Sequence, residues 1–345
     1  MRLRLASTIC QTTKCKGGPS SSIATRKYHS LPSVQTINYS FDHVNLDEFR
    51  QEAFIPMKPI LMKSVEDKAS TGLGREKSID VIEKWFKHVS STQFANTLPP
   101  TKISTLLPSQ YLHSFAGTIL PYELTIDSDA LRKRLEWLMQ PSNQCHTMFS
   151  EQLRQSLEPY DSKKSFYHFY APFSLFLSAT DPACSLPLYI AQAQIADLPA
   201  ELQRDLPTPK VVKETGKGDI YDANIWMGIS TSYTPLHKDP NPNLFIQLVS
   251  KKRVRLFPPA VGVGMYHHVQ QSIGASGIAS MRGEEMMEGP ERSLLEDRVW
   301  GEKIIDQGFE VEVGPGDALF IPKGWWHSIK SSESGINASV NWWFR

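Results

Sequence analysis

The 345-residue chain has no run of eighteen uncharged apolar residues, so no stretch of it is built to cross a membrane as a helix. It has only four cysteines, at positions 10, 15, 145 and 184. They are too few and too unevenly placed for a disulfide framework, and no second pair joins Cys10 and Cys15 to make a zinc site. Free thiols in a reducing compartment are the expectation. Net charge is nearly missing as well, with 37 basic residues against 36 acidic ones. No internal repeat occurs at solenoid or propeller periods.

Acidic residues are absent from the start of the chain, where Asp42 is the first. Residues 1–30 carry Arg2, Arg4, Lys14, Lys16, Arg26 and Lys27 among Ser, Thr and small residues. This is the composition of a mitochondrial transit peptide. Arg26-Lys27-Tyr28-His29-Ser30 resembles a processing site. The expectation is delivery to the mitochondrial matrix, whereas an untargeted tail would leave the protein in cytoplasm or nucleus. Taking those six charges from 37 leaves 31 basic against 36 acidic residues, a formal charge of −5. Such a balance excludes broad adhesion to nucleic acid, which needs Lys and Arg to displace phosphate counterions. A local basic groove stays open.

Against these absences stands His237-Lys238-Asp239 in TPLHKDPNPN, answered 88 positions after Asp239 by His327 in GDALFIPKGWWHSI. On an extended segment residues i and i+2 project to one side, so His237 and Asp239 can grip one ion while Lys238 points away. Gly314-Pro315-Gly316-Asp317 reads as a turn, Ala318 to Ile321 as a strand, and Pro322 with Gly324 as a second turn that delivers His327 to a strand edge. Two imidazoles and a carboxylate with open positions make a facial triad suited to Fe(II) and dioxygen. His267-His268 is read as a loop pair, since adjacent side chains point to opposite faces.

The chain divides at about Leu186. Residues 31–185 read as an N-terminal α+β part that packs on the remainder: strands at Ile37 to Phe41, Pro59 to Met62 and Ile119 to Thr125, and helices at Leu46 to Ala53, from Ser78 through Phe86, and at Asp129 to Leu138. Residues 186–345 read as short strands parted by Pro, Gly, Asn and Asp, the pattern of a sandwich or barrel. Expected strands are Tyr189 to Ile195, Asp222 to Gly228, Leu244 to Val249, Arg253 to Phe257, Phe309 to Val313, Ala318 to Ile321, His327 to Lys330 and Ala338 to Trp343. An insertion at about 265–303, Gly- and Met-rich and then helical from Pro290 to Trp300, reads equally as a lid or a solvated connector.

The segment NIWMGISTSYTPLHKDPNPNLFIQLVSKKRVRLFPP, with GDALFIPKGWWHSI and ASVNWWF, resembles the JmjC family of cupin-fold Fe(II) and 2-oxoglutarate oxygenases, in particular its small hydroxylase-like branch. The likeness is specific over 186–345 and looser over 41–185. It implies a mainly β protein with flanking helices, built on a double-stranded β-helix (jelly-roll) barrel, with Fe(II) held by His237, Asp239 and His327. The cosubstrates would be 2-oxoglutarate and O2, and the far carboxylate of 2-oxoglutarate would pair with a lysine inside the barrel. Strand parity independently selects that lysine: Val254 and Leu256 face inward, placing Lys252 inside and Lys251, Arg253 and Arg255 outside. A buried ammonium needs a partner, which a cosubstrate carboxylate supplies. By motif position, Thr234 and Tyr189 would give hydroxyls to the same carboxylate, Asn243 would donate near the chelating end, and Trp343 would wall the pocket. Trp325, Trp326 and Trp342 would help to exclude water. Ser250 departs from the family, which has glycine before this strand.

The reaction implied is oxidation of a substrate C–H bond coupled to decarboxylation of 2-oxoglutarate to succinate. The expected substrate is a protein side chain or a modified tRNA base. N-methyl-lysine demethylation by the same mechanism ranks below it, because no zinc cluster or chromatin module accompanies the barrel. A noncatalytic JmjC binding module would not need the intact triad, and a cupin enzyme without cosubstrate would not need Lys252. A monomer is expected, since no dimerising helices follow the NWWF strand.

Overall fold

The intervals that turn residues mark out in the second half of the chain are strands, and they close around one interior. The computed structural model describes residues 31–39, 44–64, 80–93, 101–140, 147–229, 231–274, 286–301 and 307–345. The leader, the Ser78 cap and part of the 265–303 insertion lie outside them.

The first part of the chain forms β1 (Gln35–Tyr39), α1 (Leu46–Phe49, continued by a π-helical turn at Arg50–Phe54), β2 (Ile60–Ser64), α2 (Asp80–Trp85), and the hairpin β3 (Phe86–Gln93) and β4 (Thr101–Pro108). Then come α3 (Gln110–His113), β5 (Ile119–Thr125), α4 (Asp129–Leu138), α5 (Thr147–Ser156), β6 (Phe166–Pro172) and α6 (Phe173–Ala179). The second part gives β7 (Leu188–Gln194), α7 (Ala200–Asp205), α8 (Lys210–Glu214), β8 (Ile220–Ile229), β9 (Tyr233–Lys238), β10 (Asn243–Val249) and β11 (Lys252–Phe257). It closes with α9 (Pro259–Ser272), α10 (Gly289–Trp300), β12 (Phe309–Val313), β13 (Ala318–Ile321), β14 (Trp326–Ser331) and β15 (Ile336–Phe344).

Local chemistry accounts for several boundaries. Asn45 and Ser128 accept backbone N–H groups of Glu48 and Leu131 and so start α1 and α4. Ser250 has φ +62° in the two-residue turn between β10 and β11, a left-handed conformation that glycine adopts without cost. The glycine that the family resemblance implies at this place would sit there without strain. The helix expected to run through Phe86 stops one residue earlier, because Phe86 pairs with Pro108 in the hairpin.

A nine-stranded sheet has the order β1-β2-β13-β10-β15-β8-β7-β5-β6, and a four-stranded sheet the order β12-β11-β14-β9. The strands of residues 31–185 thus do more than pack on the barrel: β1 and β2 extend its large sheet at one edge and β5 and β6 at the other. One apolar cluster, including Phe49, Tyr122, Leu135, Phe176, Leu188 and Phe344, backs this sheet with helices. A second lies between the sheets, around Phe245, Val254, Leu256, Val313 and Leu319.

The third apolar cluster includes the described helices of the insertion. Met265, Tyr266 and Val269 of α9 and Leu295 and Val299 of α10 pack on Leu236, Phe257 and Trp326. Both helices therefore cover the outer face of the small sheet, and neither the lid nor the solvated connector describes them. His267 and His268 belong to α9 rather than to a loop. Gly262 permits the close approach, since a Cβ there would fall 2.1 Å from the Trp326 ring. No helix among the described residues is long and apolar enough to span a membrane.

Candidate metal centre

His237 near the end of β9 lies directly opposite His327 near the start of β14, and their ring centroids are 4.2 Å apart. Asp239, the second residue past His237, reaches the same point: its Oδ2 is 3.7 Å from His327 Nε2. One ligand atom from each of the three lies within 4.8 Å of the other two. Among the described residues no other group of three or more His, Cys, Asp or Glu side chains converges in this way.

The backbone fixes how the imidazoles are presented. His237 Nδ1 is 2.8 Å from the Pro235 carbonyl oxygen, and His327 Nδ1 is 3.3 Å from that of Trp325. A carbonyl can only accept, so each Nδ1 carries a proton and Nε2 is the nitrogen left to face the shared point. Both rings are buried, whereas the Asp239 side chain keeps 10% exposure. Two imidazole nitrogens and one carboxylate oxygen around a partly open point fit a divalent transition metal with free positions.

Asn243 and its neighbour hold the carboxylate. Asn243 Nδ2 donates to Asp239 Oδ2 at 2.8 Å, and Asn243 Oδ1 accepts from Asn341 Nδ2 at 2.9 Å. Since a carboxylate has no proton to give, this is the orientation of the Asn243 amide that satisfies both contacts. The expected donation of Asn243 to a cosubstrate is here directed at the Asp239 carboxylate instead. Trp343, half-buried, pairs with Asn243 across β10 and β15 and shares its face.

Lys252 opens β11 and is 2% exposed. Its Nζ donates to Ser339 Oγ at 2.8 Å and lies 3.5 Å from Tyr189 Oη, with the Phe245 ring centroid 5.4 Å away. The inward parity read from the sequence therefore holds. Arg253 is exposed on the other face as expected, but Arg255 on that face is buried beneath α10.

Tyr189 reaches Lys252 because β8 has no side chain in its way. Tyr189 pairs with Gly228, where a Cβ would fall 2.6 Å from Tyr189 Cδ2. Thr234 is placed by an irregularity. Between the pairs His327↔His237 and Ile329↔Thr234, β9 advances three residues and β14 two. This bulge cancels the odd spacing of Thr234 and His237 and turns both to the interior. Pro235, which has no N–H to offer a ladder, sits in it.

The three tryptophans expected to exclude water serve elsewhere. Trp326 packs on Tyr266 outside the small sheet, Trp342 lies in the large apolar core, and Trp325 donates to the Met57 carbonyl at 3.0 Å. Ser339 and Asn341 are the site residues that sequence reasoning missed. The alternation Asn337, Ser339, Asn341 along β15, all buried polar residues, was the available signal.

A family model for the cupin-like domain matches residues 83–345, well over half of the chain. The chain belongs to the cupin-like JmjC oxygenase family. Lysine-specific demethylase 8 of Danio rerio is 31% identical over 157 residues, covering 45% of this JmjC chain and 36% of that protein. Lysine-specific demethylase JMJ30 of Arabidopsis thaliana is 29% identical over 157 residues, 46% of the chain and 34% of that protein. JmjC domain-containing protein C of Dictyostelium discoideum is 29% identical over 163 residues, 46% and 35% of the two chains. The JmjC chain thus spans about a third of the length of the curated relatives it matches. Its barrel, and the His-Asp-His cluster within it, agree with the architecture expected of the family.

Proposed function

We propose that the chain is an Fe(II)- and 2-oxoglutarate-dependent oxygenase that hydroxylates a protein side chain or a tRNA base. The observation that carries this reading is the convergence of His237, Asp239 and His327 in the same barrel that buries Lys252. Fe(II) held by the triad, with 2-oxoglutarate and O2, supplies the oxidation of a C–H bond. The side chains do the rest. Pro235 and Trp325 carbonyls hold the imidazole tautomers, Asn243 steadies Asp239, and the Lys252 ammonium receives the far carboxylate of the cosubstrate. Tyr189, Thr234 and Ser339 supply hydroxyls beside it, and Trp343 closes the side next to Asn243. Lys252 lies four residues along β11 from Leu256, the partner of His327, which is roughly 13 Å of strand.

Anaerobic addition of Fe(II) and 2-oxoglutarate should produce the weak visible charge-transfer band of the chelate, and His237→Ala should abolish it. A protein that shows neither this band nor uncoupled succinate formation would sink the assignment. The names of two relatives favour N-methyl-lysine demethylation as the second reading. Formaldehyde release from methylated peptides supports it; a stable gain of one oxygen in a peptide or tRNA fragment supports hydroxylation. The composition of residues 1–30 supports a matrix location, which a fluorescent fusion of residues 1–35 tests.

A further inference from the structure

The bulge in β9 that turns Thr234 and His237 to the interior faces Ser328 across the ladder. Ser328 is fully buried and directly follows the metal-facing His327. Its Oγ donates to the Thr234 carbonyl at 2.8 Å, a bond that closes the gap the bulge leaves in the ladder. The same oxygen accepts the indole N–H of Trp300 at 2.8 Å. A single hydroxyl thus joins the last residue of α10 to the backbone of the bulge.

Trp300 is itself held from several sides. The Arg255 guanidinium lies 4.6 Å from its ring centroid, with Lys330 Nζ at 5.2 Å and the Arg253 guanidinium at 5.5 Å. Arg255 also donates to the Val299 carbonyl at the end of α10, and Lys330 pairs with Glu296 at 2.6 Å. The helix end is therefore a fixed anchor. It anchors the segment whose Pro235 carbonyl orients the His237 ring and whose Thr234 faces the Lys252 end of the barrel.

We propose that Trp300 and Ser328 are positioning residues: the chain Trp300 N–H, Ser328 O–H, Thr234 carbonyl locks the bulge and with it the geometry of His237 and His327. Groups that orient metal ligands change affinity by about ten- to a hundredfold when removed. Docking α10 alone would require only its apolar face, in which Leu295 is fully buried.

The proposal rests on the metal reading above, and the test separates the two. Co(II) binding to the full chain is titrated by visible absorption, without turnover, for wild type, Trp300→Phe, Ser328→Ala, their double variant and Leu295→Ala, with Tm measured for each. Trp300→Phe keeps the ring between its cations and removes only the N–H. About tenfold weaker Co(II) binding is expected in either single variant and no further loss in the double, since both break one chain. Leu295→Ala should lower Tm more than Trp300→Phe while binding Co(II) more tightly than it does. Wild-type protein that takes up no Co(II) overturns the metal reading and the lock with it. Tight binding by both wild type and Trp300→Phe overturns the lock alone, as does a loss of binding in Leu295→Ala as large as in Trp300→Phe.

Discussion

On the four-stranded sheet, β9, β11 and β14 carry His237, Lys252 and His327, with Asp239 just past the end of β9; on the nine-stranded sheet, β7, β10 and β15 face them with Tyr189, Asn243, Ser339 and Asn341. Of these groups the imidazoles, the carboxylate and the ammonium belong to the small sheet, and the neutral amides and hydroxyls to the large one. The backing differs as well. The large sheet rests on a broad apolar core, whereas the small sheet is covered by α9 and α10 and stitched by Arg253, Arg255 and Glu310. Burying an ionised group costs far more than burying a neutral one, so its partners must be held in place. The small sheet supplies that rigidity from outside, and the large sheet completes the hydrogen bonds from within.

Removing the buried Lys252 ammonium tests this division most severely. Lys252→Ala should weaken 2-oxoglutarate binding by about 10- to 100-fold, the worth of a charge-assisted contact of about 1.5–3 kcal/mol, while Fe(II) affinity changes much less. Titrations of both ligands check it; equal losses would mean that Lys252 serves the sheet and not the cosubstrate. A neutral contribution from the large sheet should cost less in binding. In Gly228→Ala the new methyl displaces the Tyr189 ring, lowering stability by about 1–3 kcal/mol in thermal melts and weakening 2-oxoglutarate less than Lys252→Ala does.

The smallest effect is on the outer face. Burial alone would raise the Glu310 pKa, but Arg255 and Arg253 at 2.6 and 2.5 Å outweigh it and hold the carboxyl below its ordinary 4.5. A depressed carboxylate pKa contributes stability that is present above the ordinary value and lost as pH falls through the folded one. Wild type should therefore lose stability below pH 4.5 that Glu310→Gln does not, with a difference of about 1 kcal/mol or less at pH 7. Parallel melts from pH 7 to 3 measure it. Curves that keep a constant separation would show that the ion pairs do not brace β11 against β12.

Much of the fold was legible because strands write their period and their ends into the sequence. Ile119–Thr125, Asp129–Leu138, Phe309–Val313 and Ala318–Ile321 fall where turn residues and periodicity put them, and other strands shift by only one or two residues. The HxD pair was legible for the same reason, since its two side chains share a face through local geometry alone. Other elements were not. Helix α9 has two glycines inside VGVGMY and no polar stripe strong enough to mark it, because burial against Trp326 overrides weak propensity. Strand β6 and the hairpin of β3 and β4 carry no clear alternation and were missed, and β9 was read only as an extended segment around the HxD pair and not placed among the expected strands.

Composition, period and spacing by themselves determined that the chain is rich in short strands, that His237 and Asp239 share a face, and that Lys252 points inward, because each depends on neighbours two residues away. Tertiary structure alone decided that Thr234 joins His237 on one face, that Asn341 directs Asn243 toward Asp239, that Gly228 makes room for Tyr189, and that α10 braces the small sheet. Those facts depend on a bulge, a cross-strand amide, a missing Cβ and a docked helix, which are relations between segments far apart in the chain and leave no local period to read.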